Sequence, residues 1–326
     1  MKAARVYRYG PPELVRIESV DRPAPSGDEV LVKVQAASVN RADLDGLKPR
    51  PNFVRLFVGM RAPRNPRVGI DVAGVVEAVG PEATRFKPGD RVFGDLFSFG
   101  GGAFAEYAIA PERAFRQIAE GMSFEDAATL PHSAVLAVQG LRRRDGRTPR
   151  PGDKVLIDGA SGNVGPFAVQ IAKAMGAEVT AVASTAKLEM VRAIGADHVI
   201  DYTKVDYTRA AERYDWIVDT DSHHSILAVR RALKPNGVYI TLGGTSWPII
   251  MGLIVGPLIS LFSDRWSGLM LWWKPFHGPD VERVEELIAA GAVTPVIDRS
   301  FSLDEVAAAL RHVDDGHARG KVLLTP

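Results

Sequence analysis

The chain has 326 residues, of which 46% are hydrophobic and 24% charged, the balance of a globular protein long enough for two domains. With 40 Lys and Arg against 39 Asp and Glu the net charge is +1, so no broad basic field points to nucleic acid. The absence of cysteine excludes disulfides, cysteine nucleophiles and thiolate metal sites. The start of the chain, MKAARVY, has no apolar run typical of a signal peptide, so we expect a soluble, cytoplasmic protein.

The first third of the chain predicts β structure. Val30, Val32 and Val34 recur at every second position, as in a strand with one more apolar face. Turns such as Pro88-Gly89-Asp90 separate the short runs. Residues 71–80 are again strand-like, with glycine where neighbouring backbones would approach closely. These patterns predict a β-rich domain.

Strands and helices alternate after Pro151. Residues 154–158 form a short apolar strand, a glycine-rich turn follows, and Gly176 is a fitting cap for the next helix. Further strands are predicted at 178–183, 199–200, 216–219 and 238–242. This alternation predicts an α/β fold with a parallel, doubly wound sheet.

The end of the chain predicts two short helices and a last strand. Val284, Leu287 and Ile288 give one helix an apolar face, and residues 302–305 form a capping-box pattern that opens the other. The strand is predicted at 321–324. Because no long linker precedes this tail, we expect it to fold back onto the first domain. The predicted domains are 1–120 with 278–326, and 121–277.

The stretch from Trp247 to Trp273 is rich in Ile, Leu, Met, Phe and Trp. Gly252, Gly256 and Pro257 interrupt it. Ser263-Asp264-Arg265 ends the run after about 15 residues, short of the ~20 that a membrane-spanning helix needs. We interpret it first as a buried or lid-like segment at the carboxyl end of the sheet, where ligands of doubly wound folds bind. A subunit interface and a membrane-surface contact stay open as alternatives.

A glycine-rich loop between the strand at 154–158 and the following helix predicts a dinucleotide site. Glycines permit a tight turn and a close approach of the pyrophosphate to the N–H groups at the start of a helix. The strand–turn–helix–strand context supports this interpretation. The predicted cofactor-binding residues are Gly159, Ser161, Gly162, Asn163, Val164 and Gly165, with Gly243 in the turn after the fifth strand.

The end of the second strand favours NADP(H) over NAD. An NAD enzyme usually has an acid about 20 residues past the glycine loop, where it binds the ribose. Ser184-Thr185-Ala186-Lys187 stands there, and hydroxyl groups and an ammonium suit a 2′-phosphate. The alternative is that Ser184 and Thr185 cap the next helix and that Lys187 is solvated.

Five more motifs accompany the glycine loop: ASVNRAD at 37–43, GIDVAG at 69–74, FKPGDRVFG at 86–94, GAFAEY at 102–107 and GADHVIDY at 195–202. With them the chain resembles the medium-chain dehydrogenase/reductase superfamily, and within it the zinc-independent quinone oxidoreductase (zeta-crystallin-like) branch. The resemblance covers nearly the whole chain. It implies a GroES-like β-rich domain, completed by the C-terminal tail, and a Rossmann domain, with the active site in the cleft between them.

The resemblance also implies roles for single residues. Asn40 would lie near the nicotinamide ribose, and Asp43 follows on the same loop, where a helix-start carboxylate is an equal alternative. Ser184, Lys187 and Tyr202 would hold the 2′-phosphate and the adenine, although Tyr202 also fits a core position. His132 is a candidate proton donor, with a hydrogen-bonded structural histidine as the stronger alternative.

We expect no metal. The zinc-dependent branch has Gly-His-Glu where this chain has Gly69-Ile70-Asp71, and its cysteine ligands are missing here. The seven histidines are scattered, whereas a catalytic zinc needs three protein ligands.

The expected function is hydride transfer from NADPH to a quinone, an enone or a related carbonyl compound, which accept hydride without a Lewis acid. A zinc-free alcohol dehydrogenase or carbonyl reductase, and an NADPH-binding protein without turnover, are the alternatives. The expected partner is a small hydrophobic substrate, with no nucleic acid and no stable membrane insertion. Pairing into a homodimer stays open.

Overall fold

Residues 1–49 and 55–326 are described by the computed structural model, and they divide into two units. The first unit comprises residues 1–133 and 297–326, and the second comprises residues 134–296. The C-terminal tail therefore returns to the first unit, as the sequence predicts.

The first unit is built around one long strand. Its elements are β1 (Lys2–Arg5), β2 (Arg16–Ser19), β3 (Glu29–Val39), α1 (Arg41–Leu47), α2 (Arg55–Val58), β4 (Asp71–Val79), β5 (Arg91–Asp95), β6 (Tyr107–Pro111), β7 (Phe115–Gln117) and α3 (Phe124–Thr129). Strand β3 pairs with β4 and β6, both antiparallel. Its valines at 30, 32 and 34 are buried, whereas Lys33 and Gln35 are exposed, so the predicted alternation is confirmed from residue 32 onward, and Leu31 is buried as well.

Gly74 of β4 shows why a glycine stands in this sheet. A Cβ atom there would lie 2.2 Å from the carbonyl oxygen of Lys33 on the paired strand. The close backbone approach predicted for this stretch is therefore present. The buried valines of β3 and β4 belong to the hydrophobic core of this unit.

The second unit contains a parallel sheet with the order β10-β9-β8-β11-β12-β13. Its elements are α4 (Ser133–Gly140, whose first residue belongs to the first unit), β8 (Lys154–Asp158), α5 (Gly165–Ala174), β9 (Glu178–Ala183), α6 (Leu188–Ala193), β10 (His198–Asp201), β11 (Tyr214–Asp219), α7 (Ile226–Arg231), β12 (Leu233–Thr241), α8 (Ser246–Ser260), β13 (Trp266–Leu269) and α9 (Gly278–Ala289). The strand order reverses beside β8, as in dinucleotide-binding folds. The predicted doubly wound sheet is confirmed, and Gly176 ends α5 with a φ of +82°.

The last three elements are β14 (Ile297–Ser302), α10 (Val306–Asp314) and β15 (Lys321–Thr325). Strand β15 pairs antiparallel with β3, which ties the tail into the sheet of the first unit. The carboxylate of Glu305 accepts hydrogen bonds from the backbone N–H and the hydroxyl of Ser302, so the predicted capping-box partners are in contact.

The two units end later along the chain than the domains predicted from sequence, at residues 133 and 296 instead of 120 and 277. Helix α9, expected in the β-rich domain, is held in the second unit by buried polar contacts. The side chain of Asp280 accepts a 2.7 Å hydrogen bond from Gln139 Nε2 and pairs with Arg142 at 2.7 Å.

The apolar stretch from Trp247 to Trp273 forms helix α8 and the edge strand β13. Its predicted interruptions do not break the helix, because Gly252, Gly256 and Pro257 all lie inside it. The interpretation of the whole stretch as a buried segment is wrong, since Trp247 is 65% and Phe262 90% exposed, whereas the lid and the subunit interface stay predictions. Among the described residues, no helix is long and apolar enough to cross a membrane.

Candidate functional site

The glycine loop joins β8 to the first turn of α5. Gly159 has a φ of +74°, and a Cβ atom there would lie 2.3 Å from Thr220 Oγ1. At Gly165, the first residue of α5, a Cβ atom would lie 2.3 Å from the carbonyl oxygen of Gly159. Both positions therefore require glycine. Gly159 has a positive φ, and neither position has space for a Cβ atom.

The loop fits a dinucleotide phosphate. The start of a ten-residue helix presents backbone N–H groups and the positive end of its dipole. Gly162 lies between the two crowded glycines, and a Cβ atom there would come no closer than 3.4 Å to the protein. Asn163 stands where relatives of this type often have glycine, and it is not among the residues with positive φ, so its side chain is tolerated. Ser161 is a buried residue of the loop, and Val164 immediately precedes α5.

The structure places Ser184 and Lys187 directly after β9, the neighbour of β8. Ser184 takes the N-cap backbone position of a 3₁₀ turn at 185–187, yet its hydroxyl makes no capping hydrogen bond. Thr185 donates instead to Asp201 Oδ2 at 2.5 Å. Side-chain capping, the alternative explanation of these residues, is therefore not what they do here.

Tyr202 follows β10, the strand next to β9, and is 60% exposed. The alternative that it is a core aromatic is therefore wrong. Gly243 lies in the turn after β12, where its carbonyl accepts a hydrogen bond from the backbone N–H of Ser222 at 3.2 Å. The predicted cofactor residues of the second unit thus all follow carboxyl ends of parallel strands.

Asp201, which sequence reasoning missed, ends β10 beside these residues. Hydrogen bonds from the hydroxyls of Thr185 and Thr203 lower the pKa of its carboxyl group to about 2. The carboxylate is therefore ionised at neutral pH and orders the turn after β9. The signal in the sequence was the acid in the GADHVIDY motif, directly before Tyr202.

Two buried carboxyl groups were also missed. Asp158 and Asp219 are register partners at the ends of β8 and β11. Burial raises the pKa of Asp219 to about 6, although Tyr239 donates a 2.9 Å hydrogen bond to it. Burial and the charge of Asp219 raise the pKa of Asp158 well above its ordinary value. The two carboxyl groups therefore lose both protons less readily than two exposed carboxyl groups would.

The first unit contains a buried polar cluster around Lys321. We call it the Lys321 cluster and define it as Ser38, Asn40, Asp71, Ser133 and Lys321. The ammonium of Lys321 donates to Asn40 Oδ1 at 2.6 Å and Ser133 Oγ at 2.9 Å, and lies 3.4 Å from Asp71 Oδ2. Asp71 Oδ2 also accepts from Ser38 Oγ and Asn40 Nδ2, each at 2.9 Å.

The sheet register brings the Lys321 cluster together. Strand β15 pairs Val322 with Val39, which sets Lys321 beside Asn40. Strand β4 pairs Asp71 with Ser38. Three strand ends therefore converge, although Lys321 and Asn40 are 281 positions apart in the chain. Sequence reasoning named Lys321 only as the start of a strand, and no local pattern reveals such a contact.

Burial dominates the electrostatics of this cluster. The side chains of Lys321 and Asp71 are 1% and 0% exposed. Burial lowers the pKa of Lys321, and the Asp71 carboxylate opposes this shift. Burial raises the pKa of Asp71, with Lys321 opposing it. Each charge is tolerated because the other is present.

The predicted catalytic residues Asn40 and Asp43 both lie buried in the first unit. The Asn40 amide donates to Asp71 and to the Ser38 carbonyl and accepts from Lys321 and Ser133, which uses its full hydrogen-bonding capacity. Asp43 Oδ2 accepts from the backbone N–H of Asn40 at 2.8 Å, as a helix-start carboxylate does. Burial raises the pKa of Asp43 to about 7.

His132 is fixed by one contact of its backbone and one of its side chain. Its backbone N–H donates to Asp71 Oδ1 at 3.1 Å, and its Nδ1 lies 3.3 Å from Asp95 Oδ2. Burial acts to lower the pKa of the imidazole, but the Asp95 carboxylate outweighs this and raises it. The geometry is that of the hydrogen-bonded structural histidine.

The residues at this position do not fit a zinc ion. Ile70 stands where the zinc-dependent branch has histidine, and both oxygens of Asp71 already accept hydrogen bonds from within the unit. The side chains that contact Asp71 carry a hydroxyl, an amide and an ammonium, which are not the nitrogen, thiolate and carboxylate ligands that zinc prefers. Across residues 1–49 and 55–326, no three His, Asp or Glu side chains form a metal-binding group.

Comparisons with known proteins agree with both units. A model described as alcohol dehydrogenase GroES-like domain matches residues 26–120, and one described as zinc-binding dehydrogenase matches residues 194–324. The chain is 32% identical to the mitochondrial NAD(P)H oxidoreductase RTN4IP1 of Mus musculus over 329 residues, which cover 91% of this chain and 81% of the relative. It is also 32% identical to the chloroplastic quinone-oxidoreductase QR1 of Triphysaria versicolor, over 98% of this chain and 96% of that one.

The solved structure of the quinone oxidoreductase from Coxiella burnetii superposes with a TM-score of 0.86 at 26% identity, and covers 100% of this chain and 99% of that one. The predicted combination of a GroES-like domain and a Rossmann domain is therefore confirmed. The chain belongs to the medium-chain dehydrogenase/reductase superfamily, in its quinone oxidoreductase branch of NAD(P)H-dependent oxidoreductases.

Proposed function

We propose that this protein transfers a hydride from NADPH to a quinone or an enone without zinc. The near end-to-end match to a chloroplastic quinone oxidoreductase, over 98% of this chain, carries the substrate class. For a quinone, one NADPH and one proton yield the hydroquinone and NADP⁺. Hydride addition to such acceptors gives a delocalised anion, so the reaction does not depend on a Lewis acid.

NADPH, when bound, supplies the hydride. In this proposal Gly159, Gly162 and Gly165 hold the pyrophosphate at the start of α5, and Ser184 and Lys187 hold the 2′-phosphate. The exposed ring of Tyr202 lies against the adenine, and Gly243 lines the turn after β12.

Asn40 and Asp43 act as positioning residues in this proposal. The Asn40 side chain already makes four hydrogen bonds within the Lys321 cluster. Asp43 fixes the backbone of Asn40 at the start of α1. Together they hold the end of β3 in one conformation.

Replacing Lys187 with alanine should weaken NADPH binding at least about 10-fold more than NADH binding, because a charge-assisted contact to a phosphate contributes ~1.5–3 kcal/mol. Lys154→Ala is the matched control, since Lys154 begins β8 at the opposite end from the glycine loop and pairs with Glu212. Fluorescence titration with both cofactors measures the effect. Equal weakening of NADPH and NADH by Lys187→Ala contradicts the role given to Lys187.

Chelation should leave the enzyme unchanged, since no residue set in the described chain fits a zinc ligand sphere. The protein is incubated with a strong chelator, desalted and assayed for NADPH oxidation and melting temperature. An activity that disappears and returns with added zinc overturns the zinc-free mechanism.

An assay of NADPH oxidation against quinones, enones and aldehydes tests the reaction itself. We expect turnover with quinones or enones. Turnover restricted to aldehydes supports the zinc-free alcohol dehydrogenase or carbonyl reductase. Tight NADPH binding with no turnover supports the non-catalytic binding protein. The cytoplasmic location and the homodimer stay predictions.

A further inference from the structure

Helix α8 carries its large apolar side chains on the outside. Trp247, Ile254 and Leu258 are 65%, 55% and 55% exposed, and Leu261 and Phe262 just after the helix are 76% and 90% exposed. Their spacing of three, four and seven positions sets them along one side of the helix. We call these five residues the apolar face of α8. A continuous apolar surface of this kind marks a contact with another partner or with lipid.

The inner side of α8 explains the outward orientation. A Cβ atom at Gly256 would lie 2.6 Å from the carbonyl oxygen of Ser267 on β13, and one at Gly252 would lie 3.1 Å from Thr241 on β12. The helix therefore rests on the edge of the sheet through its glycines. Met251, Val255 and Ile259 also pack against the core of the second unit, whereas the five residues of the apolar face are exposed.

The chain around the apolar face is basic. Between residues 226 and 273 there are four cationic side chains and one acid: Arg230, Arg231, Lys234 and Arg265 against Asp264. Lys234 pairs with Asp215 at 2.7 Å, so the net positive charge beside the apolar face comes from the arginines. Helix α7 packs against α8, and its exposed Leu227 stands one turn before the exposed Arg231. Arg230 donates to the carbonyl of Arg265 at 2.9 Å, which brings the cations of α7 to the C-terminal end of α8.

We propose that the apolar face of α8 docks on the surface of a membrane that contains anionic phospholipids. The helix would lie in the plane of the interface, with its apolar residues at the boundary of the headgroups and acyl chains and the arginines on lipid phosphates. Its 15 residues give a contact about 22 Å long. This docking lies on the bilayer and does not span it.

The arginines beside the apolar face, Arg230, Arg231 and Arg265, favour lipid over a second copy of the chain. In a two-fold contact each partner presents the same surface, so the second copy offers these cations no anionic counterpart. An anionic lipid surface instead complements both the apolar face and the arginines beside it. The inference stands independently of the proposed reaction, although quinones that dissolve in lipid would be encountered at such a surface.

Vesicle flotation tests the docking. The wild-type chain should float with vesicles of phosphatidylcholine and phosphatidylglycerol, and less with phosphatidylcholine alone. Ile254→Glu should reduce the bound fraction at least about 10-fold. Arg231→Gln should weaken binding to the anionic vesicles about 5-fold, as expected for ~1 kcal/mol per cation near an anionic surface, and leave binding to phosphatidylcholine unchanged.

Val205→Glu is the matched control. Val205 is 49% exposed and follows β10, at the opposite edge of the sheet from β13. It should float like the wild type. Circular dichroism and NADPH binding verify that each variant is folded. A wild-type chain that stays unbound, or an Ile254→Glu variant that binds equally well, overturns the proposal. Concentration-dependent dimers that Ile254→Glu dissolves, without lipid binding by the wild type, assign the apolar face to a second copy instead.

Discussion

Replacing Lys321 with methionine should lower the free energy of unfolding by ~3–5 kcal/mol, the range for removing one partner of a buried ion pair. Methionine keeps much of the volume but leaves Asp71 without its cation in a site that water does not reach. Asn40 Oδ1 and Ser133 Oγ each lose a hydrogen bond as well, at 2.6 and 2.9 Å. Urea unfolding at neutral pH measures the loss.

The double variant Lys321→Met with Asp71→Asn should recover most of this stability, because it removes the uncompensated charge together with the ammonium. Lys2→Met is the matched control. Lys2 pairs with Asp304 at 2.7 Å in the same unit, but both side chains are more than half exposed. Its replacement should leave the unfolding midpoint unchanged. A Lys321→Met variant as stable as the wild type, or a double variant no better than the single one, contradicts this account of the cluster.

The local parts of the fold were predictable because their causes lie within a few residues. The strand at 154–158, the glycine loop and the helix after it follow each other directly, and Gly159 and Gly165 each have a steric reason within the same unit. The strand at 178–183 was predicted with its observed bounds for the same reason.

The Lys321 cluster could not be predicted because its causes are distant in the sequence. Its members come from the ends of β3, β4 and β15 and from the start of α4, and only the strand register brings them together. Lys321 has no apolar periodicity or motif partner that reveals a buried ammonium. The nearest clue was Asp71 in the GIDVAG motif, an acid inside an otherwise apolar strand.

Helix α8 shows a different limit of sequence reasoning. Its residues are apolar all round, so periodicity cannot tell which side faces the protein. Gly252 and Gly256 were interpreted as interruptions, whereas they form the side that packs on β12 and β13. The depth of a helix against a sheet depends on tertiary packing, which the pattern alone does not contain.

The stability of this protein should fall as the pH rises from about 4 to about 7, and Asp43 should account for a large part of that fall. Its pKa is raised from 3.8 to about 7 by burial, and the nearby Asp71 carboxylate raises it further. The Asn40 backbone N–H, His132 and Lys321 act in the opposite direction. Between the two pKa values the folded chain holds a proton that the unfolded chain has released, so the free energy of unfolding decreases with pH. The full shift corresponds to ~4 kcal/mol.

Asp43→Asn should remove this part of the pH dependence. Asparagine keeps an oxygen that accepts the hydrogen bond from the Asn40 backbone, but it never ionises. We therefore expect the variant to match the wild type near pH 4 and to exceed it above pH 7. Asp45→Asn is the matched control, because Asp45 lies on the same helix, is 56% exposed and pairs with Arg41. It should keep the wild-type slope. Urea unfolding at a series of pH values decides the question, since an Asp43→Asn variant that loses stability with pH as steeply as the wild type shows that Asp43 is ionised throughout. Asp219, raised to about 6 in the second unit, adds a separate fall that ends at lower pH and persists in the Asp43 variant.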